Sequence, residues 1–136
     1  MKFEQSIDIS ATPSEVFSVF EKVSEWPTWD PETESSSIEG SFEAGTVGKI
    51  KPKGAPESKI ELIEVTKDKS VTVGCKLPLC KMHFIHLLYP TESGTRVVYQ
   101  VAFIGFLAPL FGRLIGRSID KTLPNTLEGL KEHLEA

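Results

Sequence analysis

The chain has 136 residues, enough for one domain around one hydrophobic core and too few for a second core of useful size. Its composition, 40% apolar and 25% charged, excludes a disordered, collagenous or disulfide-stapled chain. Fifteen basic against nineteen acidic residues give a net charge of -4, which argues against a nucleic-acid partner, because phosphate-backbone affinity comes from concentrated Lys and Arg.

The charge is unevenly spread. Residues 1–40 hold nine acids and two bases, a balance of -7, whereas residues 41–136 hold ten acids and thirteen bases, a balance of +3. The first ten residues carry acids where a secretory leader needs an apolar stretch, so the expected location is cytoplasmic. Phe3, Gln5, Ile7 and Ile9 then alternate with Glu4, Ser6, Asp8 and Ser10, the period of a strand with one wet face. Thr12-Pro13-Ser14-Glu15 predicts a helix start: Thr12 caps, Pro13 suits the first turn and Glu15 closes a capping box. Val16, Phe17 and Phe20 form the buried face of that helix. Trp26-Pro27-Thr28-Trp29-Asp30-Pro31 cannot continue it, because each proline disfavours helical geometry in the residue before it, so a short second helix and an extended exit are expected.

From Glu32 onward, short β-branched and polar runs are broken at Gly40, Gly45, Gly54-Ala55-Pro56, Lys67-Asp68-Lys69, Leu77-Pro78 and Glu92-Ser93-Gly94. About six antiparallel strands follow from that spacing. A three-residue loop Glu92-Ser93-Gly94 would pair Thr91 with Thr95, and His83, Ile85, Leu87 and Tyr89 would then share a face with Phe103, Val101, Tyr99 and Val97. The opposite face would carry Met82, Phe84, Leu88, Val98, Ala102 and Ile104, an apolar surface that predicts a homodimer; a loop of four residues would instead swap the two faces and exchange the places of His83 and His86. Val97–Gly116 is apolar enough to suggest a membrane span, but its first half reads as a strand and Gly105, Pro109, Gly112 and Gly116 interrupt the second, so no transmembrane segment is expected. From Leu107 to Leu134, apolar residues at helical spacing predict one long docking helix, kinked at Pro124 and with Ala108, Gly112 and Gly116 along one flank. Cys75 and Cys80 lack zinc-like spacing and read as free thiols; no metal or cofactor is expected.

In that order, IDISATPSEVFSVF at 7–20, WPTWDP at 26–31, GSFEAGTVGKI at 40–50, GTRVVY at 94–99 and LPNTLEGLKEHLE at 123–135 resemble the START/Bet v 1-like (SRPBCC) superfamily, in its bacterial polyketide cyclase/dehydrase-type branch. The resemblance spans residues 1–136 as a single domain. It implies an α+β helix-grip fold: a curved antiparallel sheet of about seven strands around a long C-terminal helix, with two short helices after the first strand. It also implies an elongated apolar cavity between sheet and helix that takes lipids, polyketides or similar molecules.

Within that frame the expected function is carriage or sensing of a hydrophobic small molecule, with a cyclase or dehydratase using the same cavity as the alternative and an interaction module with a vestigial cavity as a third reading. His83 and Tyr99 are the catalytic candidates, and Tyr89 joins them as a polar contact. The apolar wall would come from Val97, Val101 and Phe103 on the last strand and from Phe111, Ile115, Ile119 and Leu123 on the helix, with Gly112 and Gly116 leaving room beside them. Trp26 and Trp29 are either aromatics at the cavity mouth or packing residues that pin the second helix to the sheet. Lys49, Lys51 and Lys53 are readable as a headgroup contact, but Glu32, Glu34 and Glu39 on the neighbouring strand offer them partners.

Overall fold

The computed structural model describes residues 2–136. The first strand, β1 (Lys2–Ile9), leads into α1 (Pro13–Glu21) through the predicted capping box. The Thr12 hydroxyl accepts from the Glu15 N–H at 3.2 Å, and the Glu15 carboxylate accepts from the Thr12 N–H at 3.1 Å. A 3-10 turn over Val23–Thr28 follows. It is held to α1 by the Trp26 indole, whose Nε1–H donates to the Phe20 carbonyl at 3.1 Å, and to the next strand by the Ser36 hydroxyl, which donates to Val23 O at 2.6 Å.

Six further strands are β2 (Thr33–Ile38), β3 (Val47–Pro52), β4 (Ser58–Thr66), β5 (Ser70–Leu77), β6 (Cys80–Thr91) and β7 (Gly94–Ile104). Together with β1 they make one antiparallel sheet in the order β1-β7-β6-β5-β4-β3-β2. The chain ends in α2 (Ala108–Phe111), a π-helical turn over Gly112–Gly116 and α3 (Arg117–Glu135), right-handed helical backbone throughout. This is the helix-grip arrangement. A departure from α geometry falls at Gly112–Gly116, where two glycines admit a wider turn, and Pro124 stands inside α3.

The β6–β7 register differs from the expected one. Thr91 pairs with Gly94, so the turn is the two residues Glu92-Ser93. Gly94 serves as the first paired residue of β7, and it must be glycine because a Cβ there would lie 2.1 Å from the Ile9 carbonyl oxygen. A slip of one residue turns every side chain of β6 over. Phe84 now faces Val101, His86 faces Tyr99 and Leu88 faces Val97, while His83, Ile85, Leu87 and Tyr89 turn to the outer face with Ala102, Gln100, Val98 and Arg96. The surface that predicted a homodimer does not exist as one face: Met82 and Leu88 are buried inside, and Ile104 lies 50% exposed outside.

The concave face carries the core. Leu127 and Leu130 of α3 are sealed against it together with Val97, Val101 and Leu62 from the sheet and Val16 from α1. The Gln5 amide on β1 donates to the Asp120 carboxylate at 3.0 Å, tying the start of α3 to the first strand. Cys75 pairs in register with Met82 and Cys80 with Leu77, and both cysteines are free thiols. Lys51 finds Glu34 on β2, as expected, whereas Lys49 lies 3.9 Å from Glu57.

Candidate functional site

Three adjacent strands and the first helix converge on His86. It is the cross-strand partner of Tyr99, and the two rings meet edge to face with centroids 4.4 Å apart. Phe20 of α1 lies over both, 5.4 Å from His86 and 6.2 Å from Tyr99, and Trp29 stands 6.4 Å beyond Phe20. The result is an aromatic enclosure on the concave face. Within it His86 still touches accessible space, as do the neighbouring inward side chains Phe84 on β6 and Cys75 and Leu77 on β5.

One carboxylate braces this cluster. Asp30, buried at the exit of the 3-10 turn, accepts from the Thr126 hydroxyl of α3 at 2.8 Å, from the Thr33 hydroxyl at 2.7 Å and from the Glu32 N–H at 2.9 Å. It therefore ties the last helix to the segment that holds Trp29. Its negative charge also acts through space on His86 and Tyr99.

Burial dominates the titration of both rings. It pulls His86 down to about 4, against smaller upward pushes from the Val71 carbonyl and the Asp30 carboxylate. Burial and Asp30 together raise Tyr99 well above the ordinary phenol value. At neutral pH both rings are uncharged. His86 Nδ1 lies 3.0 Å from the Val71 carbonyl oxygen, which can only accept, so Nδ1 carries the proton and Nε2 keeps its lone pair. The cluster thus offers one acceptor, His86 Nε2, and one donor, the Tyr99 hydroxyl, in apolar surroundings. The Trp29 indole N–H adds a buried donor with no partner among the described residues.

The sequence-derived site residues divide around this cluster. Val97, Tyr99, Val101 and Phe103 are buried on the concave face, and Leu123 is buried opposite them on α3. Phe111, Ile115 and Ile119 are partly buried against the core. Trp26 and Trp29 are buried, so the packing reading fits both, with Trp29 also in the aromatic enclosure. Gly112 and Gly116 are buried, but the room beside Gly116 is filled: a Cβ there would lie 2.2 Å from the Phe3 ring. Tyr89 is 50% exposed and outside the cluster. His83 lines a half-open groove of about 940 Å³ on the outer sheet face with Gly74, Ile63 and Glu61. It shares no face with Tyr99, because the one-residue change of register turned it away.

Phe20, Asp30 and Thr126 were not among the sequence-derived site residues, and His86 entered only with the alternative loop length. For His86 the two-residue reading of Glu92-Ser93 would have sufficed. Asp30 stands inside the WPTWDP segment, where its neighbours suggest only a turn. Among the described residues no group of three or more His, Cys, Asp or Glu side chains could hold a metal ion.

Solved structures share this architecture. A crystal structure of a protein from Thermus thermophilus superposes with a TM-score of 0.77 at 18% identity, covering 98% of this chain and 97% of the other. The crystal structure of Ara h 8.0201 gives 0.74 at 17% identity, covering 98% and 97%. The di-domain ARO/CYC BexL, from the BE-7585A biosynthetic pathway, gives 0.79 at 15% identity; all of this chain matches 50% of that one, half of a two-domain protein. No curated protein sequence matches the chain. At these identities the structures testify to the fold alone, and the family comes from the sequence. The model described as polyketide cyclase / dehydrase and lipid transport matches residues 1–135, and the chain belongs to that family.

Proposed function

We propose that the protein binds an uncharged, largely apolar small molecule between its sheet and C-terminal helix, and carries or senses it. The observation that supports this best is the His86–Tyr99 pair: two neutral rings that hold one acceptor and one donor inside an aromatic enclosure. Such a pair suits a ligand with one hydroxyl or carbonyl on an apolar body. A hydroxyl would donate to His86 Nε2 and a carbonyl would accept from Tyr99. A charged ligand group would suffer the same desolvation that keeps His86 neutral.

The cyclase or dehydratase reading uses the same pair, with His86 as proton acceptor and Tyr99 as donor to an enolate. Its support is the lone pair of Nε2 facing away from Val71. Against it stands basicity: an imidazole drawn to about 4 is a weak base at neutral pH, where efficient proton transfer favours a value near the working pH. Binding therefore leads. The test is native mass spectrometry of freshly purified protein for a co-purifying apolar molecule, together with titration of the uncharged fluorescent probe N-phenyl-1-naphthylamine into wild type, His86→Phe and Tyr99→Phe. A retained ligand, and wild-type protein whose probe is displaced by an apolar ketone or alcohol about tenfold better than from either variant, is the expected result. Equal displacement in all three proteins refutes the assignment of the pair.

A further inference from the structure

Five of the eight large apolar side chains that stand exposed gather at one end of the molecule. Leu79, in the β5–β6 turn, is 69% exposed; Ile104, Phe106, Leu110 and Leu114, where β7 passes into the C-terminal helix, are 50%, 83%, 48% and 66% exposed. The two segments touch. The Leu107 N–H donates to the Leu79 carbonyl at 3.1 Å, and a Cβ on Gly105 would lie 2.9 Å from that same oxygen.

Basic side chains surround this tip. On the outer sheet face Lys49 pairs with Lys59, and Lys76 with Lys81, which in turn faces Ile104. All four lysines line the same groove of about 940 Å³, whose two acids, Glu39 and Glu61, stand on the β2–β4 side away from Lys81 and Ile104. Like charges set directly opposite one another repel, so this arrangement costs stability in the free protein and is relieved by an anionic partner. Arg113 and Arg117 project from the helical side and are exposed. Among the described residues, Lys49 alone of these six has an acidic partner, Glu57 at 3.9 Å. Asp120, the acid next to Arg117 along the helix, is engaged by Gln5. Between Asp68 and Asp120 the only acid is Glu92, at the other end of β6 from Leu79 and about 43 Å along the strand from it at ~3.3 Å per residue. In a chain of net charge -4, the two lysines beside Ile104 and the two helical arginines therefore stand next to its most apolar surface without an acidic partner among the described residues.

We propose that this end of the molecule docks onto an anionic lipid bilayer, with Phe106, Leu79, Leu110 and Leu114 entering the interface and the lysine row and the two arginines resting on headgroup phosphates. Protruding apolar side chains framed by cations match the two contributions that hold a peripheral protein at a membrane, apolar insertion and attraction to anionic lipid. A second copy fits less well, since pairing two such tips would set cations against cations. No helix among the described residues is long and apolar enough to cross a membrane, so the contact is with the surface. The docking stands apart from what occupies the interior.

The test is co-sedimentation with vesicles of phosphatidylcholine alone and of phosphatidylcholine with phosphatidylglycerol at about three to one. Wild type should bind the anionic vesicles, lose binding in high salt and bind the neutral ones about tenfold more weakly or less. Phe106→Ser/Leu114→Ser and Lys76→Glu/Lys81→Glu alter exposed residues, and circular dichroism and thermal melting establish that both fold. Each should weaken binding about tenfold or more. In Phe106→Trp, the new indole should shift to the blue on binding and be quenched by brominated lipid. Wild type that stays in the supernatant with anionic vesicles, or variants that bind as well as wild type, overturns the proposal. A dimer in sedimentation equilibrium that the Phe106→Ser/Leu114→Ser variant dissolves, in a protein that ignores vesicles, gives the tip to a second copy and overturns it too.

Discussion

His86 couples the candidate site to stability. Its value in the folded protein, about 4, lies below the ordinary 6.5, so between those limits the unfolded chain binds the proton that the folded one refuses. The stability this contributes is complete above about pH 6.5 and is lost as the pH falls toward 4, with an upper size of about 3 kcal/mol. His86→Gln should flatten that stretch of a stability-against-pH curve from urea unfolding. A nuclear magnetic resonance titration of the wild-type ring should have its midpoint near 4, and a midpoint near 6.5 would show the ring to be far better solvated than the structure has it. Asp30 supplies a second check. Because its charge raises His86, Asp30→Asn should move the midpoint lower still, and loss of well-formed bonds from Thr126 and Thr33 should cost the fold about 1–3 kcal/mol.

Among the glycine contacts, the tightest lies between the last helix and the residue that follows the 3-10 turn. A Cβ on Gly129 would lie 2.0 Å from the Trp29 carbonyl oxygen, a backbone atom that cannot swing aside. Gly129→Ala gains about 1 kcal/mol of helix propensity, yet the clash should outweigh it and lower stability by about 2–4 kcal/mol in denaturant unfolding. An unchanged midpoint would mean that α3 is free to shift. Gly116 offers a milder contrast, since its neighbour is the far end of the Phe3 ring, and Phe3→Leu should relieve most of the cost of Gly116→Ala. These contacts also mark what the sequence could convey. The cap at Thr12, the strand alternation of Phe3 to Ile9 and the helical spacing up to Leu134 are local patterns, and each produced the expected element. The β6–β7 register depended on whether Gly94 belongs to the turn or to the strand, and the deciding contact is with Ile9, more than eighty residues earlier. Small residues at Gly116 read as empty space for a similar reason: only the fold reveals that Phe3 fills it.

Across the whole molecule, the proposed ligand site and the brace that closes it draw on distant parts of the chain: Phe20 and Trp29 from the start, His86 and Tyr99 from the sheet, Thr126 from the last helix. A ligand that fills such a site binds only the folded chain, and so should stabilise all of it. At a hundredfold excess over its dissociation constant the gain is about 2.7 kcal/mol, or roughly 10 °C in melting temperature for a domain of this size. Because Thr126 reaches Asp30 and Asp30 holds the segment carrying Trp29, Thr126→Val should weaken the site without touching the ligand. Its cost to the free protein is about 1–2 kcal/mol, from one hydrogen bond lost to a buried carboxylate. A loosened enclosure must then be re-formed on binding, so the ligand-induced rise in melting temperature should be smaller in Thr126→Val than in wild type when both are measured at one fixed ligand concentration. An identical rise in the two proteins would show that the last helix closes the site independently of Asp30.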